Sequence, residues 1–346
     1  MQWFQSYLEE RTQRTTFRGH VSETLHVGQG VPQGSILGPL FFILFINDLP
    51  LCVKSDIDMY ADDSSITSTA ACVTELNAKL NDDLGYISTW CKENRMAANS
   101  SKTKSMLITT WQKRNALPNN DRSLTIHLDG DLLENTTTER LLGVQISQNL
   151  SWDEHITSVE KTVNMKLALL RRIKCYLPLA ARKLFYNTHI LPHLDYCSII
   201  WGRSTFVNRL VTLQKRAARM ILDITDYQYP SAEMFKMLNW MSINQRIEFR
   251  TATMVYRSIN NLAPAYMNAM FKFTKDVSVR QTRSSCRNDL YIPSGKHKEL
   301  YMKSFAYSGA ELWNKLCPTI HSKSSLNSFK STYIKHHFND IVLNHN

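Results

Sequence analysis

Two consecutive aspartates, Asp62 and Asp63, sit in the run Ile57 to Thr67, where strand-forming residues flank the turn Tyr60-Ala61-Asp62-Asp63. Paired carboxylates at a hairpin tip suit divalent-ion chemistry. Hard cations such as Mg²⁺ take oxygen ligands, only a few of them protein carboxylates, and complete the shell with water and substrate phosphate. Phosphoryl transfer to a sugar hydroxyl is commonly run by two such ions, roughly 3.5–4 Å apart, one activating the hydroxyl and one holding the leaving oxygen. A rigid hairpin fixes the direction of the ligands while its open tip admits substrate. Standing alone, an Asp-Asp pair has a simpler use, accepting hydrogen bonds from turn N–H groups. It does not stand alone. Upstream, Gly30-Val31-Pro32-Gln33-Gly34-Ser35-Ile36-Leu37-Gly38-Pro39 opens an apolar helix over Phe41 to Ile46. Glycine there lets backbone N–H groups approach a ligand, and a helix N-terminus attracts phosphate.

Other residues carry weaker signals. Asp56 and Asp58 flank the strand before the turn and are expected to face solvent. His189 and His193 are four apart, but Pro192 intervenes and no Glu follows the first, so packing histidines are expected rather than a zinc site. Tyr196, Trp201, Trp240 and Trp313 are expected in the core rather than as base-stacking platforms, and Met234, Met237, Met241 and Met254 as core filler. The seven cysteines are odd in number and dispersed, with no Cys-x-x-Cys pair, the pattern of reduced thiols.

The elements that must position the tip follow from periodicity. Trp3 to Glu10 reads as a helix end, and Thr15 to Leu25 as a hairpin. Thr74 to Glu93 is an amphipathic helix with Leu76, Leu80, Leu84, Ile87 and Cys91 on one arc and Lys79, Asp82, Asp83 and Lys92 among the polar positions. Ser105–Thr110, Leu124–Leu128 and Leu141–Ile146 read as strands, the last with Gly143 at a bulge or close approach. Helices dominate from His155 onward, and 273–299 is irregular and polar.

The chain of 346 residues is 43% apolar and 21% charged, which excludes a disordered polyelectrolyte. Its longest apolar run, Ile36 to Ile46, is broken by Gly-Pro and falls short of the roughly 18 residues of a spanning helix. No membrane association is expected, and without a secretory leader pattern the expected location is intracellular, nucleus or cytoplasm. The net charge of +11 is uneven: residues 1–160 carry −7, residues 161–219 carry +11 and residues 220–346 carry +7. Over Asn208 to Thr225 the apolar Leu210, Leu213, Ala217, Met220, Ile221 and Ile224 share one helical arc, and Arg209, Lys215, Arg216 and Arg219 another. Such a helix packs one face on a core and points four cations outward, toward phosphates.

These motifs, in this order, resemble the reverse transcriptases of non-LTR (LINE-like, jockey- or CR1-type) retrotransposons. The resemblance rests on Trp3-Phe4-x-Ser6-Tyr7-Leu8, Gly30 to Pro39, Ile46 to Pro50 and Tyr60-Ala61-Asp62-Asp63. It continues through Trp90-Cys91-x-x-Asn94-x-Met96, Ser101-Lys102-Thr103-Lys104, Leu142-Gly143-Val144 and Leu150-Ser151-Trp152-x-x-His155-Ile156. Pro192-His193-Leu194-x-Tyr196, Trp201-Gly202 and Leu213-Gln214-Lys215-Arg216-Ala217-Ala218-Arg219 close it, so it covers about 1–225. The resemblance implies an α+β fold with a partial polymerase palm, an antiparallel sheet with helices, over 1–160. An all-helical basic thumb would follow over 161–225, and a helical extension over 226–346.

It also implies an RNA-directed DNA polymerase that adds dNMP to a DNA 3′-OH on an RNA template with Mg²⁺ or Mn²⁺, with dNTP as substrate. Asp62 and Asp63 would be the catalytic, metal-binding carboxylates. Gln33 and Gly34 would lie against template and incoming nucleotide, Lys102 and Lys104 near the triphosphate, and Leu142, Gly143 and Val144 in the primer grip. Arg209, Lys215, Arg216 and Arg219 would meet the nucleic-acid backbone. The family's first catalytic Asp motif has no counterpart here, so the expectation is an N-terminally truncated and inactive polymerase. The alternatives are a catalytically dead nucleic-acid-binding remnant or a group II intron maturase-like protein. No protein partner is indicated.

Overall fold

A computed structural model describes residues 2–32, 34–118, 122–277, 288–292 and 298–337. It is of mixed helix and strand, and its contacts divide it into two compact units, residues 1–137 and 138–346. The division falls at Thr137/Thr138 rather than at the expected 160, so the hairpin around Leu142–Val144 packs with the helices that follow it.

The first unit opens with the helix Gln2–Leu8 and two short antiparallel ribbons, Thr12–Gln13 with Leu25–His26 and Thr16–Phe17 with His20–Val21. The apolar helix Leu37–Ile46 follows, burying only Gly38 and Ile46, with Ile43, Leu44 and Phe45 exposed. Asp56–Tyr60 and Asp63–Thr67 then pair antiparallel with Tyr60 opposite Asp63. This is the strand-turn-strand that the sequence indicates. Along the first strand Ile57 and Met59 face inward while Asp56, Asp58 and Tyr60 are exposed, the period-2 alternation of a one-sided ribbon.

Behind this ribbon runs the longest helix of the unit, Val73–Glu93. Leu84, Ile87, Trp90 and Cys91 are buried with Leu124, Ile126, Leu128 and Leu133, while Leu76 and Leu80 pack at the edge of that cluster. Two polar side chains of this helix, Asp83 and Asn81, bind neighbouring backbone. Asp83 is 1% exposed, and its carboxylate accepts from the backbone N–H groups of Lys54 (2.8 Å) and Ser55 (3.1 Å), at the root of the ribbon. Asn81 brackets the strand edge, accepting from His127 N (2.8 Å) and donating to Thr125 O (2.9 Å).

The antiparallel pairing expected here takes the form of small two-stranded sheets among the described residues, and Lys104–Ser105 pairs with Glu134–Asn135 in parallel. The strands expected over Ser105–Thr110 and Leu124–Leu128 shorten to Lys104–Ser105 and His127–Leu128. Side-chain amides and carboxylates from the helix, rather than neighbouring strands, satisfy the exposed edges.

The second unit begins with the hairpin Thr138–Leu141 and Val144–Ser147. The stretch Leu141–Ile146 is therefore not one strand. Leu142 and Gly143 form its two-residue turn, both with positive φ (45° and 87°), the geometry of a type I′ turn. The helices Asp153–Ile173, Val207–Leu222 and Ser231–Leu238 bury Ile156, Val163, Leu167, Leu170, Leu210, Leu213, Ala217, Ile221 and Trp201 in one cluster. Ile243–Ile259 carries a capping box, Ser242 with Gln245, and joins a second cluster built around Trp313, Phe329 and Tyr333. The residues of 273–299 that the sequence reads as irregular lie partly outside the described residues.

Buried polar groups lock the helices together. Gln214, 1% exposed, donates to Met241 O (2.9 Å) and accepts from Ile243 N (2.9 Å). Asp195 accepts from Arg246 Nε (2.8 Å) and Nη2 (2.5 Å), and Arg250 Nη2 lies 3.0 Å away.

Two outcomes are expected from these locks. Asp195→Ala strands the partly buried Arg246 charge and is expected to destabilise the protein by about 3 kcal/mol, read as a lower urea midpoint. An unchanged midpoint would mean that the pair adds no net stability. Burial raises the Asp83 pKa, but the backbone N–H of Lys54, the side chain and N–H of Ser55 and the Lys54 charge together outweigh it and hold the carboxyl below its ordinary value. Its stabilisation is therefore full above the unfolded carboxyl pKa of about 3.9 and is lost as pH falls through the lower folded value. Acid unfolding should shift to higher pH in Asp83→Asn, a shift that a pH titration of the circular dichroism signal measures.

Candidate functional site

Asp62 and Asp63 stand next to one another at the tip of the Asp56–Thr67 ribbon, both exposed. Ala61 and Asp62 form the two-residue loop, and Ala61 takes φ 54°, where glycine is the residue of least strain. A side chain held there by its surroundings is a form of local strain that recurs at functional sites. The tip thus turns tightly, with Tyr60, itself 67% exposed, directly opposite Asp63. Asp58 lies on the same exposed face, two residues before Tyr60, and Asp56 is exposed as expected.

The glycine-rich loop is built by two contacts of its own. Arg11 donates to the carbonyls of Gln29 (3.2 Å) and Gly30 (2.5 Å), and Ser35 Oγ accepts from Gly38 N (2.9 Å) at the start of the apolar helix. A Cβ on Gly38 would lie 3.0 Å from Ser35 Oγ and 3.2 Å from Pro32 O, so glycine is what lets the loop fold onto the helix. Gly34 takes φ 78° with open space around it, in keeping with a backbone presented outward. Gln33 lies outside the described residues.

Of the two lysines singled out by sequence, Lys104 is committed: its Nζ sits 2.5 Å from Glu134 Oε2 and 3.1 Å from Ser101 O. Lys102 is exposed. Among the described residues of the first unit no further carboxylate forms a metal-holding group with Asp62 and Asp63. Among the described residues no group of three or more His, Cys, Asp or Glu side chains stands close enough to hold a metal ion.

The second unit holds the positive charge. Residues 138–346 carry 29 basic and 14 acidic side chains, net +15. On Val207–Leu222 the apolar arc is buried as expected, but the cationic arc is not uniformly free. Arg209 and Arg216 are exposed, Arg209 stacking on Phe206 and lying 3.8 Å from Glu160, and Arg216 donating to Asn164 Oδ1 (3.1 Å). Lys215 and Arg219 are half-buried, with Arg219 donating to Tyr227 O (2.9 Å) and lying over its ring. Two of the four cations, Arg209 and Arg216, are therefore exposed, each with a contact to the neighbouring Asp153–Ile173 helix.

Leu142, Gly143 and Val144 sit at the tip of the unit's hairpin, held by Tyr196, whose hydroxyl donates to Leu142 O (2.5 Å). Tyr196 is 51% exposed, contrary to the core role expected for it, whereas Trp201, Trp240 and Trp313 are buried. Met237 is likewise exposed, while Met234 and Met241 are buried. His189 packs against Phe185 with the rings tilted 48°, and His193 is half-buried. Sequence reasoning passed over Arg140 and Gln145, which share a cleft with His155 and Tyr196. The quoted Leu142-Gly143-Val144 and His155 motifs bracket Gln145, and Arg140 lies two residues before the first, but a single-strand reading of 141–146 conceals that the two positions belong to opposite arms of a hairpin.

A family model described as reverse transcriptase (RNA-dependent DNA polymerase) matches residues 1–146. Among curated relatives, the "Probable RNA-directed DNA polymerase from transposon BS" of Drosophila melanogaster is 28% identical over 262 residues, 71% of this chain and 28% of that protein. The "Probable RNA-directed DNA polymerase from transposon X-element" of the same fly is 27% identical over 226 residues, 62% of this chain and 24% of that protein. The RNA-directed DNA polymerase from mobile element jockey of Drosophila funebris is 27% identical over 233 residues, 64% and 25% respectively. The chain spans about a quarter of the length of these relatives. With the Tyr-Ala-Asp-Asp tip and the glycine-rich loop both inside the matched segment, the chain is a relative of the non-LTR retrotransposon polymerases and carries reverse transcriptase homology over residues 1–146.

Proposed function

We propose that the chain forms the later part of the palm and the thumb of a non-LTR reverse transcriptase, acting on an RNA template, a DNA primer and dNTP. The observation that carries this reading is the tight tip presenting Asp62 and Asp63 side by side within the matched segment. The reaction adds dNMP to the primer 3′-OH and releases pyrophosphate.

Both carboxylates are hard oxygen donors at an open tip, which fits Mg²⁺ or Mn²⁺. They supply only part of a shell, since no third His, Cys, Asp or Glu among the described residues completes a set with them. Asp62 and Asp63 would hold such an ion, which would supply activation of the 3′-hydroxyl and charge neutralisation for the leaving pyrophosphate. The chain's own residues orient the reactants. Gln33 and Gly34 are the residues assigned to template and incoming nucleotide, and Gly34's outward backbone suits that approach. Lys102 is the better placed of the two lysines for the triphosphate, because Lys104 already neutralises Glu134. Leu142, Gly143 and Val144 hold the primer strand, and Arg209 and Arg216, with Lys215 and Arg219 beside them, take backbone phosphates.

With an incomplete carboxylate set, the chain by itself binds template-primer but adds dNMP slowly or not at all. Filter binding of an RNA–DNA template-primer is expected to weaken steeply between about 50 and 200 mM salt, and Arg216→Ala to lower the log–log slope by about one. Mg²⁺-dependent primer extension should be absent or trace. Robust cDNA synthesis that disappears in Asp62→Ala would overturn the proposed inactivity, and salt-independent or absent binding would overturn the polymerase reading.

A further inference from the structure

The hairpin Thr138–Ser147 and the helices Asp153–Ile173 and Leu191–Asp195 enclose a cleft of about 370 Å³. Arg140, Gln145, His155, Thr162, His193 and Tyr196 line it, with no carboxylate among the lining residues. Gly143, assigned above to the primer, also borders it, and none of the roles above uses the other lining residues.

Its most telling atom is Gln145 Oε1, a buried acceptor without a hydrogen-bond partner. Buried polar atoms in folded proteins are nearly always paired, so a cleft that leaves one unpaired is short of a donor. The neighbouring groups narrow what that donor belongs to. His155 Nδ1 accepts from the backbone N–H of Gln145 (3.3 Å), which leaves the ring proton on Nε2. Burial, and then the charge of Arg140, hold the His155 pKa below its ordinary value, and burial with Lys166 does the same for His193. Both rings are therefore neutral at pH 7, and Arg140 is the formal charge of the lining. Tyr196 supplies an aromatic plate. Its hydroxyl is pinned to Leu142 O, and its edge lies against Gly143, where a Cβ would come within 3.4 Å of the ring. An aromatic face, an amide acceptor and one cation form the set by which single-stranded bases are stacked, read and held by phosphate. Ligand pockets run from roughly 300 Å³ upward, so this one holds a single nucleotide.

We propose that the cleft binds one nucleotide of a single-stranded nucleic acid, with the base against Tyr196, an exocyclic amino group donating to Gln145 Oε1, and the phosphate at Arg140. The choice of a strand as the source rests on the polymerase reading. The chemistry of the cleft is that of a nucleotide, free or within a strand. Adenine and cytosine carry the required amino donor, whereas thymine and uracil carry a carbonyl in its place.

The test uses the full chain with labelled oligo(dA) and oligo(dT), and with AMP or inorganic phosphate as competitor. Oligo(dA) is expected to bind more tightly than oligo(dT). Gln145→Met should weaken oligo(dA) about tenfold and erase that preference, leave the salt slope unchanged, and keep or raise the thermal midpoint because an unpaired buried acceptor has gone. Tyr196→Phe should retain binding and Tyr196→Ala lose it. AMP should displace oligo(dA), and inorganic phosphate should not. Wild-type oligo(dA) binding and preference in a stable Gln145→Met, or competition by phosphate equal to that by AMP, would overturn the proposal. AMP binding that Gln145→Met abolishes, with oligo(dA) unaffected, would overturn the assignment to a strand. Template-primer binding that persists in Gln145→Met while the base preference vanishes separates this site from the polymerase reading, which salt-dependent binding tests on its own.

Discussion

One carboxylate ties the Asp62-Asp63 turn to the rest of its unit. Asp83 sits at the middle of the Val73–Glu93 helix, buried, and accepts from the N–H groups of Lys54 and Ser55, where the chain enters the strand that ends at Tyr60. A two-stranded ribbon is marginal in isolation. Here its inward residues, Ile57, Met59 and Ile66, pack at the edge of the helix's apolar cluster while the carboxylate fixes its root. Without that anchor the tip with Asp62 and Asp63 would have hydrophobic contact to hold it but nothing directional. Hydrogen bonds supply direction where packing alone does not.

The same economy recurs through both units. Strands of two to five residues leave many backbone groups without ladder partners, and helical side chains take them up. Asn77 and Asn81 serve the 125–127 edge, and Asn135 brackets Leu124. In the second unit Gln214 satisfies the backbone at Met241 and Ile243, and Asp195 holds Arg246 and Arg250. Asn77, Asn81, Gln214 and Asp195 lie in helices and Asn135 in a strand, and of the five Gln214 and Asp195 are buried.

That pattern explains what the sequence disclosed and what it withheld. The tip was legible because Tyr-Ala-Asp-Asp between β-rich residues has one reasonable conformation, and the structure forms it with Ala61 at positive φ. The apolar arcs of Val73–Glu93 and Val207–Leu222 were legible from spacing, since burial of Leu84, Ile87, Leu210 and Leu213 follows the helical period. Asp83 and Gln214 were not, because a period marks which positions face inward only when they are apolar. Leu141–Ile146 misled for a related reason: a type I′ turn normally announces itself with Asn-Gly or Gly-Gly, and Leu142-Gly143 does so only by half. Tyr196 looked like core material by type. Its partner is the Leu142 carbonyl at the surface of the hairpin, a contact that no spacing encodes.

The claim on which the account depends is that the buried carboxylate of the long helix sets the aim of the Asp62-Asp63 tip. Amide hydrogen exchange on the full chain measures it directly, comparing wild type with Asp83→Asn. The account predicts that exchange accelerates at Lys54 and Ser55 and along the 56–67 ribbon, while the Val207–Leu222 helix keeps its protection. Protection of the ribbon unchanged by the substitution, or lost equally across both units, would contradict it.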